Sequence, residues 1–203
     1  NDGCVIARSN EAKALGIGMG QPAFELRDLF VREQVAIFSS NHILYGDISR
    51  RVMSVLSQFS PEVEVYSIDE AFLSLDGIDM PYGAEAYART IADTVMRCVG
   101  IPVSIGIAHT KTLAKIASHR AKKIARYKGV CHLVTPDQCA MALIECPIGD
   151  VWGIGRRLAP KLIEEGISTA WDFTHMSRER VRRLYTIEGE RTWRELRGEV
   201  CYA

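Results

Sequence analysis

The chain has 203 residues, with 25 Lys and Arg against 25 Asp and Glu and so no formal net charge. A hydrophobic share of 47% and a charged share of 25% fit an ordinary folded protein of one large or two modest domains, and exclude a disordered polyelectrolyte. No apolar run reaches membrane-spanning length, so no membrane partner is expected, and with balanced charge any affinity for nucleic acid has to come from the distribution of basic residues. The first residue is Asn1 rather than Met, so the expectation is a piece of a longer protein, and its cysteine usage predicts a cytoplasmic one. Its six cysteines include no Cys-x-x-Cys pair, and they read as reduced thiols rather than a zinc site.

In chain order, Asn1-Asp2-Gly3 reads as a turn and Cys4–Ala7 as a short strand. Ser9 or Asn10 caps a short helix from Glu11 to Leu15, stopped by Gly16. Pro22 suits the first turn of a second short helix ending near Phe30, and Val35–Phe38 is a further strand candidate. A long helix is expected over about Asn41–Phe59, with Leu44, Ile48, Val52, Val55, Leu56 and Phe59 as its buried stripe. Pro61 ends it. Val63, Val65 and Ile68 then alternate with polar residues, and Phe72, Leu73 and Leu75 follow, which predicts strand, turn, strand around Ser67-Ile68-Asp69-Glu70.

A second long helix is predicted over Gly83–Cys98, a half-buried strand over Val103–Ala108, a third helix over Thr110–Arg126, and a last strand over Val130–Val134. After Pro136 the pattern is helical, punctuated by Pro147, Gly153, Gly155, Gly166 and Gly189. The expected fold class is therefore α+β: antiparallel-type strands covered on one face by helices, followed by a small all-helical domain.

Four groups of residues could carry chemistry. Asp69 and Glu70 are adjacent carboxylates in an apolar strand-turn-strand. They read either as an exposed acidic hairpin or as oxygen ligands for a hard cation, which both can reach only at a turn or strand end. From Thr94 to Pro136 there is no Asp or Glu, while Arg97, Lys111, Lys115, Arg120, Lys122, Lys123, Arg126 and Lys128 all occur. That stretch is either a solvated helix face or a footprint for phosphates. Val151-Trp152-Gly153-Ile154-Gly155, followed by Arg156, Arg157 and Lys161, reads either as a linker between helices or as a Gly-x-Gly turn gripping a phosphate backbone. Arg8, Asn10 and Lys13 form a small N-terminal basic patch that could reach a triphosphate.

Taken together, these segments resemble the Y-family translesion DNA polymerases, and within them the UmuC-like members. Tyr66-Ser67-Ile68-Asp69-Glu70-Ala71-Phe72 is similar to that family's central catalytic motif, and Ser104–Ala108 with Lys111–Ala117 to the palm segment that follows it. Asp150–Arg157 resembles the helix-hairpin-helix of the thumb, Asn1–Gly16 the fingers, and Arg194–Glu199 the end of the thumb. The resemblance covers essentially the whole chain. It implies fingers over 1–41, a ferredoxin-like palm sheet with helices on one face over 42–134, and an all-helical thumb over 135–203.

The resemblance also implies template-directed nucleotide addition in the SOS response to DNA damage, on primer-template DNA and deoxynucleoside triphosphates, with two Mg2+ ions. On this reading Asp69 and Glu70 are catalytic metal ligands. Arg8, Lys13 and Lys122 bind the triphosphate, while Gly153, Gly155, Arg156, Arg157 and Lys161 bind DNA. An UmuD-type accessory subunit, a recombinase filament and a sliding clamp would be partners. Asn10 stands where many relatives carry an aromatic residue, and Lys13 where they carry Arg. The family's other metal-binding aspartate and its ribonucleotide-excluding residue would precede Asn1, and its little finger would follow Ala203, so little or no activity is expected of this stretch alone. A non-catalytic DNA-binding protein that keeps the palm, and a nucleotide cyclase, are the competing readings.

Overall fold

The computed structural model describes residues 3–155 and 157–202, in two compact units, Asn1–Asp47 and Ile48–Ala203. Asn1 and Asp2 of the expected opening turn lie outside the described residues.

The first unit is built on Ile17, Leu26 and Phe30, with Val5, Ala12, Leu29 and Val35 packed around them. Helix α1 (Asn10–Ala14) starts where the Ser9 hydroxyl accepts a hydrogen bond from the Ala12 amide, so Ser9 rather than Asn10 is the cap. A 3-10 turn (Ala23–Leu26) leads into α2 (Arg27–Arg32). The expected strand at Cys4–Ala7 is reduced to a single bridge between Cys4 and Pro22, supported by the Val5 amide donating to the Gln21 carbonyl at 2.8 Å. Val35–Phe38 forms no strand, and Ile37 and Phe38 are exposed. A strand needs a neighbour to satisfy its backbone, and apolar content alone does not provide one.

Helix α3 (His42–Leu56) crosses the division between the units. Its apolar stripe is shorter than expected. Val52, Val55 and Leu56 pack with Phe59 against Ile91 and Val95 of α4 (Gly83–Val99), whereas Leu44 is exposed. Strands β1 (Val63–Val65) and β2 (Ala71–Leu73) pair antiparallel with Val63 opposite Leu73 and Val65 opposite Ala71. The predicted strand, turn, strand is present, with Asp69 and Glu70 at the turn.

Strand β3 (Ile105–Ile107) runs parallel to β4 (Val130–His132), not antiparallel as expected. The reason is α5 (Lys111–Lys123), which lies between them in sequence and makes the crossover that a parallel pair requires. Among the described residues the four strands form two separate pairs rather than one sheet. Gly106 lets β3 press against α5: a Cβ there would fall 2.1 Å from the Ser118 nitrogen and 2.2 Å from the Ala114 oxygen.

The remainder is helical, as the sequence predicts: α6 (Pro136–Ile144), α7 (Ala159–Glu164), α8 (Ala170–Thr174) and α9 (Arg178–Leu196), the last broken at Thr186. Thr135 and Gln138 form a capping box on α6, and Thr169 and Asp172 another on α8. These helices do not have a core to themselves. Leu113, Ile116 and Ala117 of α5 and Cys131 of β4 are buried in the same cluster as Leu143, Leu162, Phe173, Trp193 and Leu196. The helix carrying Lys111, Lys115 and Lys122 is thus anchored from both sides, by the β3–β4 pair and by the C-terminal helices.

Candidate active site

The β1–β2 turn is closed by the Tyr66 and Ser67 amides, which both donate to the Glu70 carbonyl at 3.0 Å. The Ser67 hydroxyl donates to the Asp69 carboxylate at 2.7 Å, which fixes that side chain, and Asp69 and Glu70 are both exposed. Neither residue lies within a regular strand, so the alternation that sends neighbouring side chains to opposite faces does not apply to them.

Helix α5 runs beside this turn. Lys115 Nζ donates to both Glu70 oxygens, at 3.0 and 2.9 Å, and Lys111 pairs with Glu64 of β1. Lys111 and Lys115 of the 43-residue acid-free stretch thus have carboxylate partners from elsewhere in the chain; Arg120, buried in α5, likewise pairs with Glu145. Desolvation at Arg120 is outweighed by its bonds to Tyr127 and Glu145, which hold its pKa above the ordinary value. Lys122 is exposed, two helical turns past Lys115 and so about 10 Å further along the same side.

Aromatic side chains wall the turn. The Trp152 indole N–H donates to the Tyr66 hydroxyl at 3.0 Å, and the Trp152 ring lies 5.3 Å from Tyr66, 5.8 Å from Phe72 and 5.2 Å from Tyr202. Burial pushes the Tyr202 phenol up. Trp152 immediately precedes the Gly-x-Gly turn, which brings that turn next to the carboxylates. Gly153 has a φ of 87°, and a Cβ there would meet the Thr192 hydroxyl at 2.9 Å, whereas Gly155 has open space around it. Arg157, just before α7, and Lys161, within it, are exposed, and Arg156 lies outside the described residues. In the first unit, Arg8 is half-buried with one guanidinium nitrogen donating to the Ile17 carbonyl at 3.0 Å, and Lys13 is exposed, 3.4 Å from the Asn10 side-chain oxygen.

Asp69 and Glu70 offer two carboxylates at a solvent-open turn. No group of three or more His, Cys, Asp or Glu is arranged to hold a metal among the described residues. That donor set suits Mg2+, which keeps several waters and takes one or two carboxylates with substrate phosphates, and it does not suit a closed structural site. Sequence reasoning missed the roles of Lys115, Trp152 and Tyr202. The one available signal was the acid-free stretch, whose lysines needed partners from another element.

Residues 1–119 match the family described as impB/mucB/samB. Protein UmuC of Salmonella typhimurium is 48% identical over 202 residues, covering 99% of this chain and 48% of that protein. DNA polymerase IV of Desulfatibacillum aliphaticivorans is 34% identical over 200 residues, covering 98% and 48% respectively. The chain spans about half the length of the relatives it matches. Among solved structures, the insertion ternary complex of Dbh DNA polymerase superimposes with a TM-score of 0.75 at 26% identity, covering 93% of this chain and 53% of that one. The mixed helix-and-strand fold is thus that of a polymerase domain of this type.

Proposed function

From the premise that the chain belongs to the impB/mucB/samB family, we propose that it supplies the fingers (1–41), palm (42–134) and thumb (135–203) of an error-prone translesion DNA polymerase. The observation that carries this is the turn presenting Asp69 and Glu70 beside α5, with the Gly153–Gly155 turn packed against it through Trp152. In this reading Asp69 and Glu70 hold two Mg2+ ions. Bound there, the ions supply Lewis-acid activation of the primer hydroxyl and stabilise the pyrophosphate leaving group.

The chain's own residues do the rest. Ser67 fixes the Asp69 carboxylate so that it is already oriented. Lys122 binds the triphosphate. Gly153 and Gly155 allow close approach to the sugar-phosphate backbone of primer-template DNA, and Arg157 and Lys161 add charge without reading bases. The named relatives support a place in DNA-damage tolerance; an accessory UmuD-type subunit, a recombinase filament and a sliding clamp belong to the same proposal.

The test is Mg2+-dependent primer extension across an abasic site by the complete protein. Loss of a metal ligand removes several kcal/mol of transition-state stabilisation, so Asp69→Ala is expected to slow incorporation by about a thousandfold or more while duplex binding persists. Extension at the wild-type rate by Asp69→Ala would refute the assignment. Tight primer-template binding with no extension by the wild type would favour a DNA-binding protein that merely keeps the palm.

A further inference from the structure

Lys115 is held unlike an ordinary surface lysine. Its Nζ donates to Oε1 and Oε2 of Glu70 at 3.0 and 2.9 Å, taking both oxygens of that carboxylate. On its other sides the ammonium lies 4.6 Å from the Tyr66 ring centre, 5.1 Å from Trp152 and 6.0 Å from Phe72. These rings come from the carboxylate turn, the segment before the Gly-x-Gly turn, and β2. The Trp152–Tyr66 hydrogen bond at 3.0 Å fixes two of them against each other. Aromatic faces attract a cation, most strongly where water is partly excluded, and the Lys115 side chain is only 22% exposed against 47% for Glu70. The lysine is therefore the fixed member of the pair, and the carboxylate comes to it.

We propose that Lys115 is a positioning residue that makes divalent-cation binding at Glu70 contingent on the arrival of phosphate, an inference that rests on the metal-binding reading of this turn. A divalent ion ligated by Glu70 takes at least one oxygen from Lys115. The ammonium has nowhere better to go, because the rings hold it, so it remains beside the ion and repels it. The same displaced N–H donors then face whatever anion the ion carries. Without phosphate oxygens the ion binds weakly against a resident cation; with them, Lys115 changes from competitor to partner. Lys122 is exposed and does not share this arrangement.

The test measures Mn2+ binding to the complete protein by electron paramagnetic resonance, in the absence of nucleotide. Lys115→Met keeps the aliphatic stem among the rings and removes the charge. An exposed ion pair is worth up to about 1 kcal/mol, so Mn2+ binding is expected to tighten by up to about fivefold. Lys115→Arg should stay within about twofold of wild type, and the gain from Lys115→Met should vanish in a Glu70→Gln background. Thermal denaturation verifies folding, and Lys115→Gln replaces Lys115→Met should the latter not fold. Unchanged or weaker Mn2+ binding in the neutral variants, a gain that survives Glu70→Gln, or no Mn2+ binding by any form would overturn the proposal. Its fate is separable from that of the polymerase reading. Tightened Mn2+ binding without primer extension would refute only the latter, and Asp69-dependent extension with Mn2+ binding indifferent to Lys115 would refute only this one.

Discussion

Glu195 is the residue whose loss should damage the fold most for the size of the change. It has 0% of its surface exposed, yet it carries a carboxylate. One oxygen accepts from the Thr112 amide at 2.9 Å, and the other from the amides of Cys201 and Tyr202 at 2.8 and 3.2 Å. Thr112 is the second residue of α5, so the carboxylate satisfies one of the orphan N–H groups of that helix and sits at the positive end of its dipole. The Glu195 carbonyl also accepts from the Thr110 hydroxyl at 2.9 Å. Glu195→Ala strands three amides that no longer face an acceptor. A hydrogen bond to a charged group is worth about 1.5–3 kcal/mol, and breaking a buried charged network costs about 3–5 kcal/mol. We expect Glu195→Ala to lose about 3–5 kcal/mol, and Glu195→Gln, which keeps one acceptor oxygen, about half of that. In a chain of this length, 3–5 kcal/mol lowers Tm by roughly 6–20 °C. Urea unfolding followed by tryptophan fluorescence and thermal melting followed by circular dichroism both read the loss. A Glu195→Ala variant melting within about 2 °C of wild type would refute the reasoning.

Two further outcomes follow from the same geometry. Gly106→Ala places a Cβ 2.1 Å from the backbone nitrogen of Ser118, where no flexible side chain can give way, and should cost about 3 kcal/mol in the urea midpoint unless β3 separates from α5. Glu190 accepts from Arg178 at 2.6 Å and Arg182 at 3.1 Å, and the Arg178 bond, only partly opposed by desolvation, holds its pKa below the usual carboxylate range. Its stabilisation is therefore complete above the ordinary carboxylate pKa and lost as pH falls through the depressed value. Glu190→Gln should flatten the fall of Tm below about pH 4, and an unchanged acid limb would contradict this.

What the sequence showed and what it hid divide along a physical line. Local signals carried well: the alternation around Val63–Leu73 and the helical periodicity of α4 and α5 gave the elements found, and the Ser9 cap was one of the two offered for α1. Pairing did not carry, because it depends on partners far along the chain. Val35–Phe38 has the apolar content of a strand and no neighbour, and the β3–β4 pair is parallel because a helix happens to intervene. The carboxylate turn was legible because two acids in an apolar hairpin are anomalous. Trp152, Tyr202 and Glu195 were not, since nothing local distinguishes a core aromatic or a helix-face glutamate from one that meets a partner far along the chain. Trp152 meets Tyr66 across 86 positions, and Glu195 meets Thr112 across 83.

These long-range contacts also explain how a chain of zero net charge can suit a polyanion. Lys111 and Lys115 are neutralised locally by Glu64 and Glu70, while Lys122, Lys123, Arg157 and Lys161 are exposed. Charge facing solvent is thus positive at the C-terminal end of α5, which carries no acid, whereas at the turn Glu64 and Glu70 are matched by Lys111 and Lys115. On the proposed reading, such an arrangement would attract phosphate to the flank first. At the turn it leaves ion pairs that would exchange partners, Glu70 passing from an ammonium to a divalent ion and Lys115 from a carboxylate to a phosphate. Exchange of this kind would conserve the number of opposite-charge contacts before and after an anion arrives. A site built instead from bare carboxylates would repel the triphosphate until metal had already bound.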